Sequence, residues 1–211
     1  LTSTDAVQQH SDITVVFDPA FQELTFHQIQ IVRDGKMLDR LTTSDIELIR
    51  RETGSDRALY DGNLTAVVHL SDVRRNDVIV YSYSIKGFNP AYGNHFFAEL
   101  YHGYTVPVDK FHYRIIADSS RTLYFKRLNH SKEPEIFEKD GIKEYVWENM
   151  EVPAMAVDKQ VVPWEQLYPV TSISTQKDWG EVVNWALPLY VSNQLPRVSV
   201  ERGSKLAIIN S

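Results

Sequence analysis

The chain has 211 residues, 43% of them hydrophobic and 24% charged, with 22 basic and 28 acidic side chains and a formal net charge of -6. That length supports one large domain or two small ones with a sizeable core, and the acidic balance without a basic patch argues against nucleic acid and suits anionic membranes poorly. The absence of cysteine excludes disulfides, thiolate metal sites and a cysteine nucleophile within the chain, and no run of about 18 apolar residues exists to insert into a membrane.

Residues 1–10 read as a flexible N-terminal segment. A first residue that is Leu1 rather than Met is expected of a chain trimmed by processing or by design, and no signal peptide is visible. From Asp12 onward the dominant period is two, the strand signature. Asp12–Phe17 puts Ile13, Val15 and Phe17 on one face, and Thr25–Val32 puts His27, Ile29 and Ile31 together. The stretch Ser44–Arg50 fits a strand or a short helix, and the strand reading is preferred. Thr65–Leu70 alternates through Ala66 and Val68. Val78–Ile85 alternates Ile79, Tyr81, Tyr83 and Ile85 with Ser82 and Ser84. His95–Thr105 carries Phe96, Ala98 and Leu100 on one face, and Asp109–Ala117 carries Phe111, Tyr113 and Ile115, with Val106-Pro107-Val108 as a hairpin connection between them. Thr122–Arg127, Ile142–Asn149 and Pro169–Ser174 complete the series. Turn chemistry lies at Asp34-Gly35, Asp61-Gly62, Arg75-Asn76-Asp77 and Asp140-Gly141.

Helical periodicity first persists after residue 175. Thr175 or Asp178 can cap a helix over about residues 176–190, and Asp178 with Glu181 makes a capping-box pattern. Trp179, Val182, Val183 and Ala186 share one face, Tyr190 continues it, and Pro188 kinks or ends it. Pro153, Pro163 and Pro169 make 152–169 an irregular connector, which Trp164 and Tyr168 give enough apolar area to pack. The expected architecture is all-β: an antiparallel β-sandwich of nine or ten strands over 11–175, a helix over 176–191 bridging towards a following domain, and 192–211 as a linker or the truncated start of that domain.

Three segments carry a family resemblance. They are VRDGKMLDRL with ALYDGNLTAVVHLSDVRRNDVIVYSYSIKGFNP, HFFAELYHGYTVPVDKFHYRI, and YVWENMEVPA with PWEQLYPVTSISTQKDWGEVVNWALPLY. In order and spacing they resemble the domain of unknown function 3857, the β-rich module preceding transglutaminase-like cores in bacterial proteins. The resemblance runs over residues 10–191. It implies a β-sandwich without an active site of its own, a papain-like core with a Cys-His-Asp triad following on the same chain, and a periplasmic or cell-surface parent protein.

The chemistry in the residues is sparse. There is no GxSxG elbow, no HExxH and no glycine-rich phosphate loop. Neither catalysis, nor a metal, nor a cofactor is expected of this chain. His95, His102 and His112 would converge only if their strands paired as a hairpin, and the odd spacing of His95 and His102 sends them to opposite faces. Glu144 and Glu148 share a strand face as glycosidase carboxylates would, and equally as solvated charges do. Tyr101, Tyr104, Phe111, Tyr113, Tyr124, Trp147 and Trp164 serve a core or, alternatively, an aromatic platform for a glycan. The structural and docking candidates are Trp179, Trp185, Trp164, Trp147, Asp61 and Gly62. An exposed apolar patch near the Trp179 helix would mark a face that docks the same-chain core or another protein.

Overall fold

The computed structural model describes residues 1–41, 46–50, 62–156, 167–190, 197–199 and 207–209. The chain divides into two compact units, Leu1–Gly93 and Asn94–Ser211, where the strand periodicity led to the expectation of one sandwich over 11–175. The all-β expectation holds: among the described residues twelve strands make four antiparallel three-stranded sheets, two in each unit, and a short hairpin follows.

The first unit opens with α1 (Thr4–His10), where a flexible segment was expected. The Ser3 hydroxyl caps it by accepting from the Ala6 N–H at 3.0 Å. The residues before it are tied down as well. The Leu1 ammonium donates to the Asp77 carbonyl at 2.7 Å. Asn76 N–H donates to the Leu1 carbonyl, and Arg75 Nε to that of Thr2.

Strand β1 (Asp12–Phe17) is followed by β2 (Glu23–Arg33), β3 (Lys36–Asp39), β4 (Ile46–Arg50), β5 (Leu64–His69) and β6 (Val78–Lys86). They assort into sheets of order β1-β5-β4 and β3-β2-β6. Ile13, Val15 and Val68 from one sheet and Ile29 from the other are all buried in a single cluster, so the two sheets face one another across it. The strand reading of the 44–50 stretch is correct over Ile46–Arg50; residues 42–45 lie outside the described residues.

One placement differs. His27 does not share a face with Ile29 and Ile31. The pairing of β2 with β6 slips between Phe26 and Gln28, and this bulge turns His27 outward, where its Nε2 meets Ser84 Oγ at 2.7 Å. Phe26 and Leu24 take the core side instead.

The second unit contains β7 (Phe97–Tyr101), β8 (Val108–Asp118), β9 (Tyr124–Leu128), β10 (Glu135–Lys139), β11 (Ile142–Val152) and β12 (Val170–Ser174). Their sheets run β10-β11-β8 and β7-β12-β9. Phe111, Tyr145 and Trp147 from the first meet Ile173 from the second, with Ala98, Leu100 and Phe125 packed around them. Thus β7 and β8 lie in different sheets, and Val106-Pro107 carries the chain across from one to the other instead of closing a hairpin. A proline within the connection cannot donate to a ladder, which suits a crossing segment.

Helix α2 (Trp179–Ala186) continues as a 3-10 turn over Leu187–Tyr190, so the expected helix divides at Pro188. A hairpin of β13 (Arg197–Ser199) and β14 (Ala207–Ile209) follows.

Two strands that periodicity missed, β3 and β10, are the partners of recognised turns. Arg33 pairs with Lys36 and Lys139 with Ile142, leaving Asp34-Gly35 and Asp140-Gly141 as two-residue loops. Both residues of each loop have positive φ, between 49° and 78°. That is the type I′ geometry whose twist matches the flanking strands, and it favours glycine at the second position.

Candidate functional site

Helix α2 carries the feature that sets this chain apart from a closed sandwich. Asp178 Oδ1 accepts from the Glu181 N–H at 3.1 Å, and Glu181 Oε2 accepts from the Lys177 N–H at 2.8 Å. These bonds satisfy two donors at the helix start. Val182, Trp185 and Ala186, at i, i+3 and i+4, form the half-buried face. The Trp185 ring lies 6.1 Å from the rings of both His95 and Phe97, which fixes the helix to the start of β7. The opposite stripe, Trp179, Val183, Leu187 and Tyr190, follows helical spacing and is exposed at 80%, 51%, 63% and 81%. Sequence periodicity put Trp179 on one face with Val182, Val183 and Ala186, and that group divides between the half-buried and the exposed sides. In the structure the contact belongs to Trp185, and Trp179 stands in solvent.

The other candidates separate by role. Trp147 is fully buried at the centre of the second unit, its Nε1–H donating to the Lys132 carbonyl at 3.1 Å. Gly62 has a φ of +71°, a backbone state that glycine adopts without a steric penalty. Asp61 and Trp164 lie outside the described residues.

The three histidines are not gathered. His95 meets Trp185 in a T-shaped ring contact, and His112 Nδ1 lies 3.0 Å from Glu148 on an exposed sheet face. His102 is buried, with Nε2 2.9 Å from Thr171 Oγ1, while Thr171 in turn donates to Ser131 Oγ at 3.0 Å. Because the Thr171 proton is committed to Ser131, His102 donates from Nε2 and is the neutral tautomer; its Nδ1 has no partner among the described residues. Burial holds its pKa below the ordinary histidine value, and its ring meets the Phe111 edge at 5.4 Å. Among the described residues no group of three or more histidine, aspartate or glutamate side chains is placed to hold a metal ion.

Glu144 and Glu148 have cationic partners. Arg114 reaches Glu144 at 2.5 Å, and Lys110 and His112 each reach Glu148 at 3.0 Å. Both carboxyl pKa values are lowered, Glu144 by its hydrogen bond from Arg114 and Glu148 by those from Lys110 and His112. A glycosidase acid needs the opposite shift. Of the aromatic pool, Phe111 and Trp147 are buried and Tyr104 and Tyr113 pack against them, while Tyr101 and Tyr124 are partly exposed.

Sequence reasoning missed the ion-pair knot of the first unit. Arg33 reaches Asp77 at 2.8 Å and Asp72 at 3.0 Å, with Asp77 almost fully buried. Arg74 N–H also donates to Asp77 Oδ2 at 2.7 Å. The Arg33 hydrogen bond, followed by the one from Arg74, outweighs burial and holds the Asp77 carboxyl at about 2. No sequence signal links Arg33 to residues some forty positions later.

The fold is similar to that of a solved structure described as a crystal structure of a "putative protease" from Parabacteroides distasonis ATCC 8503. The TM-score is 0.73 and the identity 20%, over 83% of this chain and 35% of that one. At that identity the likeness is one of fold, and this chain spans about a third of the length of that protein. Comparison with curated proteins gives no match. The family described as Domain of Unknown Function with solved-structure structure (DUF3857) matches residues 1–156, and the chain therefore belongs to the DUF3857 family.

Proposed function

We propose that this chain is a non-catalytic accessory module that docks onto a transglutaminase-like, papain-fold core of the same polypeptide and positions protein substrate for it. The observation that carries the reading is the exposed stripe Trp179, Val183, Leu187 and Tyr190 on a helix otherwise fixed by Trp185. A contiguous apolar stripe of this kind is stable when a partner surface covers it. Two further facts support the reading. The chain has no cysteine to serve as a papain-like nucleophile, and a fold relative described as a protease is much longer than the part matched here. The same family ground extends the reading to an exported parent protein, periplasmic or at the cell surface.

The test is calorimetric binding of this chain to the transglutaminase-like core of its parent polypeptide, before and after Trp179→Asp. The substitution should weaken binding at least about tenfold, since aromatic anchors dominate such contacts, while the circular dichroism spectrum stays unchanged. Equal binding by the variant would sink the proposal. So would a parent reading frame without Cys, His and Asp in papain-like order, or turnover of a peptide, ester or glycoside by the isolated chain.

A second reading, a carbohydrate-binding module, has one observation in its favour. The exposed Tyr81 and Tyr83 rings on β6 lie 6.3 Å apart with planes 6° from parallel, a geometry on which a sugar face can stack. Affinity electrophoresis in glycan gels, with and without Tyr81→Ala, decides it.

A further inference from the structure

Strand β6 ends the sheet β3-β2-β6, and β2 pairs with one side of it only. Alternate N–H and C=O groups along its other side therefore point away from the sheet, and among the described residues no strand meets them. Exposed edges are ordinarily blunted by charge, proline or a bulge. From Val78 to Ile85 this strand has no charge and no proline, and the Lys86 charge comes only at its end.

The residues along it are self-complementary. Read outward from Ser82, Tyr81 answers Tyr83, Val80 answers Ser84, and Ile79 answers Ile85. An antiparallel strand of the same sequence, related by a two-fold axis through Ser82, sets each of these pairs directly opposite. The parity of the strand keeps like faces together.

The exposure pattern calls for such a neighbour. Tyr81, Tyr83 and Ile85 lie on the side of the sheet that Ile79 presents to the core, opposite Ile29, Phe26 and Leu24 of β2. Ile29 is fully buried, whereas Tyr81 and Tyr83 are 48% and 43% exposed. The facing sheet covers β2 and leaves this strip open.

We propose that two copies of this chain associate through antiparallel β6 strands in the register centred on Ser82, joining two three-stranded sheets into one of six strands. Tyr81 of each copy then lies across from Tyr83 of the other, covering the open strip. The occupant of the edge is a second copy because the register that satisfies the backbone also matches every side-chain pair on the core side. An unrelated peptide has no such constraint. An edge of nine residues gives a modest interface, with a dissociation constant on the order of 1–100 μM.

Sedimentation of the full chain tests this. Ser82 sits on the axis, so Ser82→Asp or Ser82→Lys sets two like charges directly against each other. The wild type should show a monomer–dimer equilibrium. Each variant should raise the dissociation constant at least about tenfold with an unchanged circular dichroism spectrum. An equal mixture of the Asp and Lys variants should recover dimer, which a folding defect would not allow. The proposal is overturned by a wild type that stays monomeric up to about 500 μM, including one that instead takes up an extended peptide. Variants that dimerise as the wild type does, or a mixture that fails to recover dimer, also overturn it.

Discussion

His102 shows how one side chain's surroundings become a measurable property. Burial depresses its folded pKa, while the unfolded chain takes up its proton near the ordinary value of about 6.5. Below that pH the unfolded state binds more protons than the folded one. The stability held at neutral pH therefore declines as the pH falls from about 6.5 through the folded pKa. His69 runs the other way, since the hydrogen bond it donates to the Asp12 carboxylate raises its pKa, but that pair is exposed and contributes little. Urea midpoints at two pH values check the balance: the wild type should lose stability between about pH 7.5 and pH 5.5, and His102→Leu should lose less. A result in which the two slopes are equal would remove His102 from the account. In the sequence His102 was only one of three histidines that would converge if their strands paired as a hairpin. Its actual partner, Thr171, and the Ser131 that Thr171 bonds in turn come from distant positions brought together by sheet order, which side-chain alternation does not encode.

At the scale of elements, local chemistry was the most readable part. β1, β5, β6 and β12 stand within a residue of where period-two alternation put them; β1, β5 and β12 set buried residues in a core, and in β6 the sequence alternation of Ile79, Tyr81, Tyr83 and Ile85 with serines is regular although most of the strand is exposed. The strands that were missed, β3 and β10, are exposed through most of their length and so lack a buried alternation, although their turns were visible. Those turns set the register. Gly141 has a φ of +78°, and Gly141→Ala should cost about 1 kcal/mol through the left-handed backbone penalty alone. Among the described residues no atom lies near enough to clash with the added carbon, so a urea midpoint shift of that size isolates the backbone contribution. A shift several times larger would mean that the hairpin contributes more than its turn. Helix α2 was legible from Asp178, Glu181 and Pro188, yet the single face read from the sequence divides, with Val182 and Ala186 half-buried and Trp179 and Val183 exposed. Trp179 and Trp185 both suit a core, and only the position of β7 decides which one is covered.

At the scale of the molecule, periodicity counted the strands well and could not apportion them. Alternation is the same in one large sandwich as in two small ones. The division follows from which side chains meet: Ile13, Val15, Ile29 and Val68 in one cluster, Phe111, Tyr145, Trp147 and Ile173 in the other, with no member in common. Two separate cores predict additive losses. Trp147→Ala should cost about 3–5 kcal/mol, with the Lys132 carbonyl left without its indole donor. Val68→Ala should cost about 1–3 kcal/mol. The double variant should match the sum within about 0.5 kcal/mol in chemical denaturation. A coupling energy well beyond that would mean that the clusters communicate.

Strand β12 occupies the middle of its sheet although it is made last of the three. As the nascent polypeptide leaves the ribosome, β7 and β9 emerge first, destined to lie two strand spacings apart, about 10 Å. Neither can hydrogen-bond to the other across that gap. Half of the second unit's sandwich must therefore wait, with an open slot along its centre, until Ser174 has cleared the exit tunnel. Newly synthesised chains in that interval carry two unsatisfied strand edges, which is the stage at which holdase chaperones have most to bind.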